Sequence, residues 1–169
     1  AVRHDGTPVT ITHACTFRTS AVRDNEIHTR QIVFHENKAF GRNVSFGEPP
    51  HPSYTFDAAT GLTDGIAGDP SCPTSGEWFG WQKPMDVTID MGESPDKYRG
   101  VRLSFFVNKP KHYFPPVRLE VQLSADGENF VTAAERDLPT EGKEVPEGIR
   151  TFTLDFPETA ARYMRVRAV

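Results

Sequence analysis

Apolar residues recur at every second position along five separate stretches of this chain, and that period leaves few folds open to it. Val117, Leu119, Val121 and Leu123 share one side, while Arg118, Glu120, Gln122 and Ser124 share the other. Val87, Ile89 and Met91 alternate with Asp86, Thr88 and Asp90. Val101, Leu103, Phe105 and Val107 alternate with Arg102, Ser104, Phe106 and Asn108. Phe152, Leu154 and Phe156 alternate with Thr151, Thr153 and Asp155, and Met164, Val166 and Ala168 with Arg165 and Arg167. Successive side chains of a strand point to opposite faces, so each stretch reads as a strand with one dry face. Five such strands require a facing apolar layer, which a second sheet supplies. The expected fold class is all-β, an antiparallel β-sandwich.

Turn chemistry separates the runs. Met91-Gly92-Glu93-Ser94-Pro95 closes one, and Ala125-Asp126-Gly127-Glu128-Asn129 reads as a tight connection whose Asp-Gly pair supplies a left-handed position. Prolines and glycines fill 139–148, and no long amphipathic helix interrupts the pattern. The 12 phenylalanines among 169 residues are enough to anchor one core, since each buried aromatic contributes roughly 1.5–3 kcal/mol.

The net charge of −4 and the absence of a run of five basic residues argue against nucleic acid and against a polybasic membrane contact. No apolar stretch approaches the roughly 20 residues needed to span a bilayer. The chain opens Ala-Val-Arg, without Met or a charged-then-apolar leader, and is read as an excerpt of a longer protein. Cys15 and Cys72 lack metal or redox spacing; one disulfide between them and two unpaired buried thiols both fit. Asn43-Val44-Ser45 matches the glycosylation acceptor pattern.

Residues 47–84 are rich in Gly, Pro, Ser and aromatics and read as long loops, where binding tends to reside on a rigid sandwich. Residues 1–36 hold strand-like pieces, Val9 to Thr12, Thr16 to Val22 and Gln31 to His35. His28 and His35 read as surface or edge-strand histidines, because no nucleophile or second metal ligand stands at a motif spacing.

From about Asn37 the chain resembles the discoidin-like (F5/8 type C), family-32 type of carbohydrate-binding module, in the version found at the C-terminal end of bacterial β-N-acetylhexosaminidases. The residues that carry this run in order. They are Asn37-Lys38-Ala39-Phe40-Gly41-Arg42-Asn43-Val44, Pro49-Pro50-His51-Pro52-Ser53-Tyr54, Leu62-Thr63-Asp64-Gly65-Ile66-Ala67-Gly68 and Trp78-Phe79-Gly80-Trp81. Then come Asp86-Val87-Thr88-Ile89-Asp90-Met91-Gly92, Val121-Gln122-Leu123-Ser124-Ala125-Asp126-Gly127-Glu128-Asn129-Phe130 and Ala161-Arg162-Tyr163-Met164-Arg165-Val166-Arg167. The resemblance implies a galactose-binding-like jelly-roll over 37–169, with 1–36 as the last strands of a preceding small sandwich. It also implies a glycan partner of the N-acetylhexosamine or galactose type, an upstream catalytic domain in the parent chain, and a secreted, periplasmic or cell-surface bacterial origin.

Particular residues follow as candidates. The resemblance implies a structural calcium at the Asp64-Gly65 turn, with Asp69 as second carboxylate; Ile66 departs from the family's usual Asn or Asp. The bland alternative is that Asp64 only caps its turn. Asn108, Lys111, His112 and Tyr113 form the best sugar site, joined by Trp78, because sugar recognition needs polar groups around a stacking platform. The competing reading makes Phe114 a core plug and the rest a solvated loop. Trp81 is expected to be buried. The module itself is expected not to be an enzyme: glycosidase chemistry needs two flanking carboxyl groups, and acids such as Asp86, Asp90 and Glu120 sit on the polar side of strands. The rival function is interdomain packing without sugar binding.

Overall fold

The structure, a computed structural model, describes residues 5–11, 13–34, 37–55, 59–74, 76–93, 96–138 and 145–169. Among them run β1 (Cys15–Arg23), β2 (Glu26–Phe34), β3 (Val44–Glu48), β4 (Met85–Asp90), β5 (Lys97–Val107), β6 (Arg118–Ser124), β7 (Val131–Asp137), β8 (Gly148–Ala160) and β9 (Tyr163–Ala168). The only helical pieces among the described residues are single 3-10 turns at Pro52–Tyr54 and Lys109–Lys111. β3-β4-β9-β6-β7 form one antiparallel sheet and β5-β8 the other. The expected all-β sandwich is present.

The alternating residues meet between the sheets. Met91, Leu119, Val121 and Leu123 pack with Leu154, Phe156, Met164 and Val166, while Val101, Leu103, Phe105 and Phe152 cover them from the two-stranded side. Leu119, Val121 and Val107 are wholly buried. Val117 departs from its run: it is 39% exposed, because the chain enters β6 only at Arg118. Its amide instead donates to the Val169 carbonyl, and its own carbonyl accepts from Leu138.

The polar side of the larger sheet is an ion-pair ladder. Asp86 is held by both Arg165 and Arg167, Arg167 reaches on to Glu120, and Arg162 grips Asp90 through two nitrogens. The expected Asp126-Gly127 turn is also found, with Gly127 at φ 81°. Asp126 organises it by accepting from the Ser124 hydroxyl, the Glu128 and Asn129 amides and the Asn129 side chain.

β1 and β2 form a separate hairpin, turned by Asp24 and Asn25 at φ 52° and 64°. It touches the remainder through a bridge between Phe34 and Ile66 and an Arg30–Glu77 ion pair at 3.0 Å. The expected strand piece at Val9 to Thr12 is not one over its described residues 9–11, and His35 and Thr12 lie outside the described residues. Cys15 and Cys72 are unbonded and exposed, which overturns the buried-thiol expectation.

Candidate functional site

Antiparallel register gathers the long loops at one end of the sandwich. Met85 opens β4 opposite Ala168 at the close of β9, and Leu119, the second residue of β6, lies opposite the same Ala168. The 49–84 and 108–117 connections therefore emerge together.

The second connection is tightly built. Asn108 leaves β5 and bridges to Tyr113: its amide donates to the Tyr113 carbonyl and its carbonyl accepts from the Tyr113 amide, both at 3.0 Å. Its side-chain oxygen accepts from the Lys111 amide at 3.2 Å. Pro110 stiffens the turn by fixing its own φ. His112 then takes the left-handed region at φ 60°, which reverses the chain. Tyr113 consequently faces inward, its ring 5.8 Å from Phe106 and 5.9 Å from Tyr54. Phe114 faces outward, 62% exposed, with its ring 6.1 Å edge-on from His112. The reading of Phe114 as a core plug is thus overturned; Tyr113 occupies the inward position.

Tyr54 completes the arrangement. Its 3-10 turn is capped by the His51 ring nitrogen, which accepts from the Ser53 amide at 3.2 Å, and is tied down where the His51 amide donates to the Gly80 carbonyl at 2.7 Å. The Tyr54 and Tyr113 hydroxyls meet at 3.0 Å. The hydrogen bond with Tyr113 holds the Tyr54 phenol above its ordinary proton affinity, aided by burial and partly opposed by the Lys111 charge. His51-Pro52-Ser53-Tyr54 was visible in the sequence, yet nothing local said that it meets a loop 59 residues away.

Asn108, Lys111, His112 and Tyr113 therefore share one preformed loop. Trp78 reaches it through Phe106, ring to ring at 5.5 Å. Its indole lies over Gly68 and its N–H donates to the Asp69 carbonyl at 3.1 Å, so that donor is committed within the protein. Trp81 is half-buried, packed near Phe46 and Phe79, with its N–H on the Glu48 carbonyl at 2.9 Å.

Asp64 and Asp69 lie in the same long connection. Asp64 accepts from the Ile66 amide at 2.8 Å, the turn-capping bond anticipated for it. Asp69 accepts from the Ser71 amide and hydroxyl, which holds its carboxyl below the usual range. Among the described residues no three His, Cys, Asp or Glu side chains gather. A calcium ion wants about six to eight oxygens. Two carboxylates that already accept from the amides two residues on supply only part of such a set.

The opposite end carries a shallow hollow of about 440 Å³, lined by Asn43, Ser45, Thr88, Asp90, Asp126 and Tyr163. Both carboxylates there already hold internal donors. Arg162 above all lowers the proton affinity of Asp90, and the Asn129 side chain does so for Asp126.

No protein-family model matches the chain, and no curated protein matches it. Solved structures do. A CBM32 module from Clostridium perfringens, in complex with GalNAc-β-1,3-galactose, is 17% identical over 76% of this chain and 84% of that one, with a TM-score of 0.47. A fucose binding module of Streptococcus pneumoniae is 16% identical over 78% and 83%, with a TM-score of 0.47. The C-terminal domain of a chitobiase from Bacteroides fragilis is 13% identical over 74% and 80%, with a TM-score of 0.42.

Proposed function

We propose that this chain is a non-catalytic carbohydrate-binding module, and that a galactose-type or N-acetylhexosamine ring stacks on Phe114 beside His112. One observation carries the reading: an exposed aromatic ring stands on a loop whose backbone is locked by Asn108, with the His112 imidazole edge-on to it. Large exposed rings are costly to leave in water, and a sugar's C–H face covers one while its hydroxyls keep polar partners. Preorganisation reduces the ordering cost of binding, yet a shallow site buries few ligand atoms, so affinity is weak. The sequence resemblance supports the same reading and extends it to a parent glycoside hydrolase of the hexosaminidase type acting outside the cytoplasm, with this module holding it near its glycan. A calcium ion at Asp64 and Asp69 would then stiffen the 49–84 loop, without taking part in sugar contact.

Titration with galactose, N-acetylgalactosamine and N-acetylglucosamine, followed by loop resonances, tests the reading. Saturable shifts at His112 and Phe114, lost in Phe114→Ala while the fold is kept, are expected. Silence across a broad glycan panel would favour a packing role instead. One feature speaks for that second reading: Val22 and Ile27 sit opposite each other near the hairpin tip, 74% and 72% exposed, as a surface awaiting a neighbouring domain would have them.

A further inference from the structure

The polar half of this loop carries donors and positive charge, and hardly anything to offset them. From Lys97 to Leu119 the chain has no carboxylate, although the protein as a whole is acidic. Lys38, Lys83 and Lys97 each pair with a carboxylate. Lys109 and Lys111 pair with none among the described residues, and neither does His112. Lys111 precedes Tyr113 by two residues on the same turn, its amide fixed on the Asn108 side chain.

That pair has its own hydrogen-bond arithmetic. Two phenols own two O–H donors, and the single bond between them uses one. The second O–H has no acceptor within the pair. The Lys111 ammonium, with three N–H donors, is carried on the same turn as Tyr113, and no described carboxylate pairs with it. A neutral sugar hydroxyl would satisfy the phenol and leave the ammonium to water. A carboxylate or sulfate would satisfy both, and charge-assisted bonds of this kind are about twice as strong as neutral ones.

Resting on the sugar-binding reading above, we propose that the loop takes an acidic sugar, whose carboxylate or sulfate seats on Lys111 and the spare hydroxyl of the Tyr54–Tyr113 pair. Lys109 adds long-range attraction on the same turn.

The test is calorimetric titration of the whole chain with galacturonate, galactose 6-sulfate and plain galactose, for wild type, Lys111→Gln and Tyr113→Phe, with melting curves confirming that each variant folds. At least one acidic sugar is expected to bind tenfold or more tighter than galactose, and its affinity to fall severalfold on raising salt from 50 to 500 mM. Which acidic sugar gains tells carboxylate from sulfate. Lys111→Gln should bring acidic and neutral sugars within twofold of each other, and Tyr113→Phe should narrow the gap part-way. Equal or tighter binding of plain galactose, with Phe114 still responding, would overturn the acidic preference and leave the sugar site standing. No binding of any sugar would overturn both.

Discussion

Gly68 lies flat against the Trp78 indole: a Cβ on Gly68 would stand 2.3 Å from the ring's Cε2 and 2.5 Å from its Nε1. Contact this close is open only to glycine, so the backbone at Gly68 forms part of the ring's seat. Phe106 lies against the same indole, and its N–H is fixed on Asp69. Gly68→Ala therefore has to push the indole off its seat and disturb Phe106, on which Tyr113 rests. The expected cost is that of an overpacked site, about 1–3 kcal/mol. Thermal melting should show a fall of several degrees, with tryptophan emission shifted toward that of a wetter ring. A variant that melts and emits like wild type would show that the indole is not seated this way.

The parts of the fold legible in the sequence are those where alternation and strand agree. Leu119, Val121, Met164 and Val166 are all buried as their period demands. β7 escaped notice because its core-facing positions are Ala133 and Ala134, adjacent rather than alternate, and a register shift opposite Val121 and Gln122 breaks its phase. β3 escaped because Gly47 interrupts it at a second register shift, where a Cβ would come within 2.8 Å of the Asp86 carboxyl carbon. At the candidate site the turn-forming residues of 108–113 were readable, but the inside-outside choice between Tyr113 and Phe114 was not. That choice is set by one left-handed residue, His112, a conformation that no local propensity demands of histidine. Tyr54 was unreadable as a partner for a different reason, since its contact with Tyr113 exists only after two loops meet.

Acid should weaken this protein through a particular turn. Asp126 accepts donors from Ser124, Glu128 and Asn129, and its proton affinity lies far below that of an ordinary carboxyl, the Asn129 side chain contributing most. Asp90 and Glu120 are shifted in the same direction, Asp90 first by Arg162 and Glu120 first by the Thr132 hydroxyl. A depressed folded-state value means the stabilisation is complete above the unfolded carboxyl range, near pH 4, and is lost as pH falls further and the unfolded chain takes up protons first. Melting temperature should decline steadily below about pH 4. Asp126→Ala should melt lower than wild type at pH 7 and decline less steeply in acid, so that the two curves draw together. Curves that stay parallel down to pH 2.5 would remove Asp126 from the account.

Calcium is separable from turn capping at Asp64. The Ile66 amide donates to one Asp64 oxygen, and an asparagine retains an oxygen in that position while losing the charge. Asp64→Asn should therefore keep the turn and lose the cation. If an ion is held there, ligand linkage makes the native chain melt higher in millimolar calcium than in EDTA, by roughly 2.7 kcal/mol when calcium is a hundredfold above its dissociation constant. Asp64→Asn should melt in either solution where the native chain melts in EDTA. A variant that falls well below that value would mark the capping bond as the larger role. Native curves that coincide in calcium and EDTA would leave Asp64 and Asp69 as turn caps alone, each satisfied by the amide two residues on.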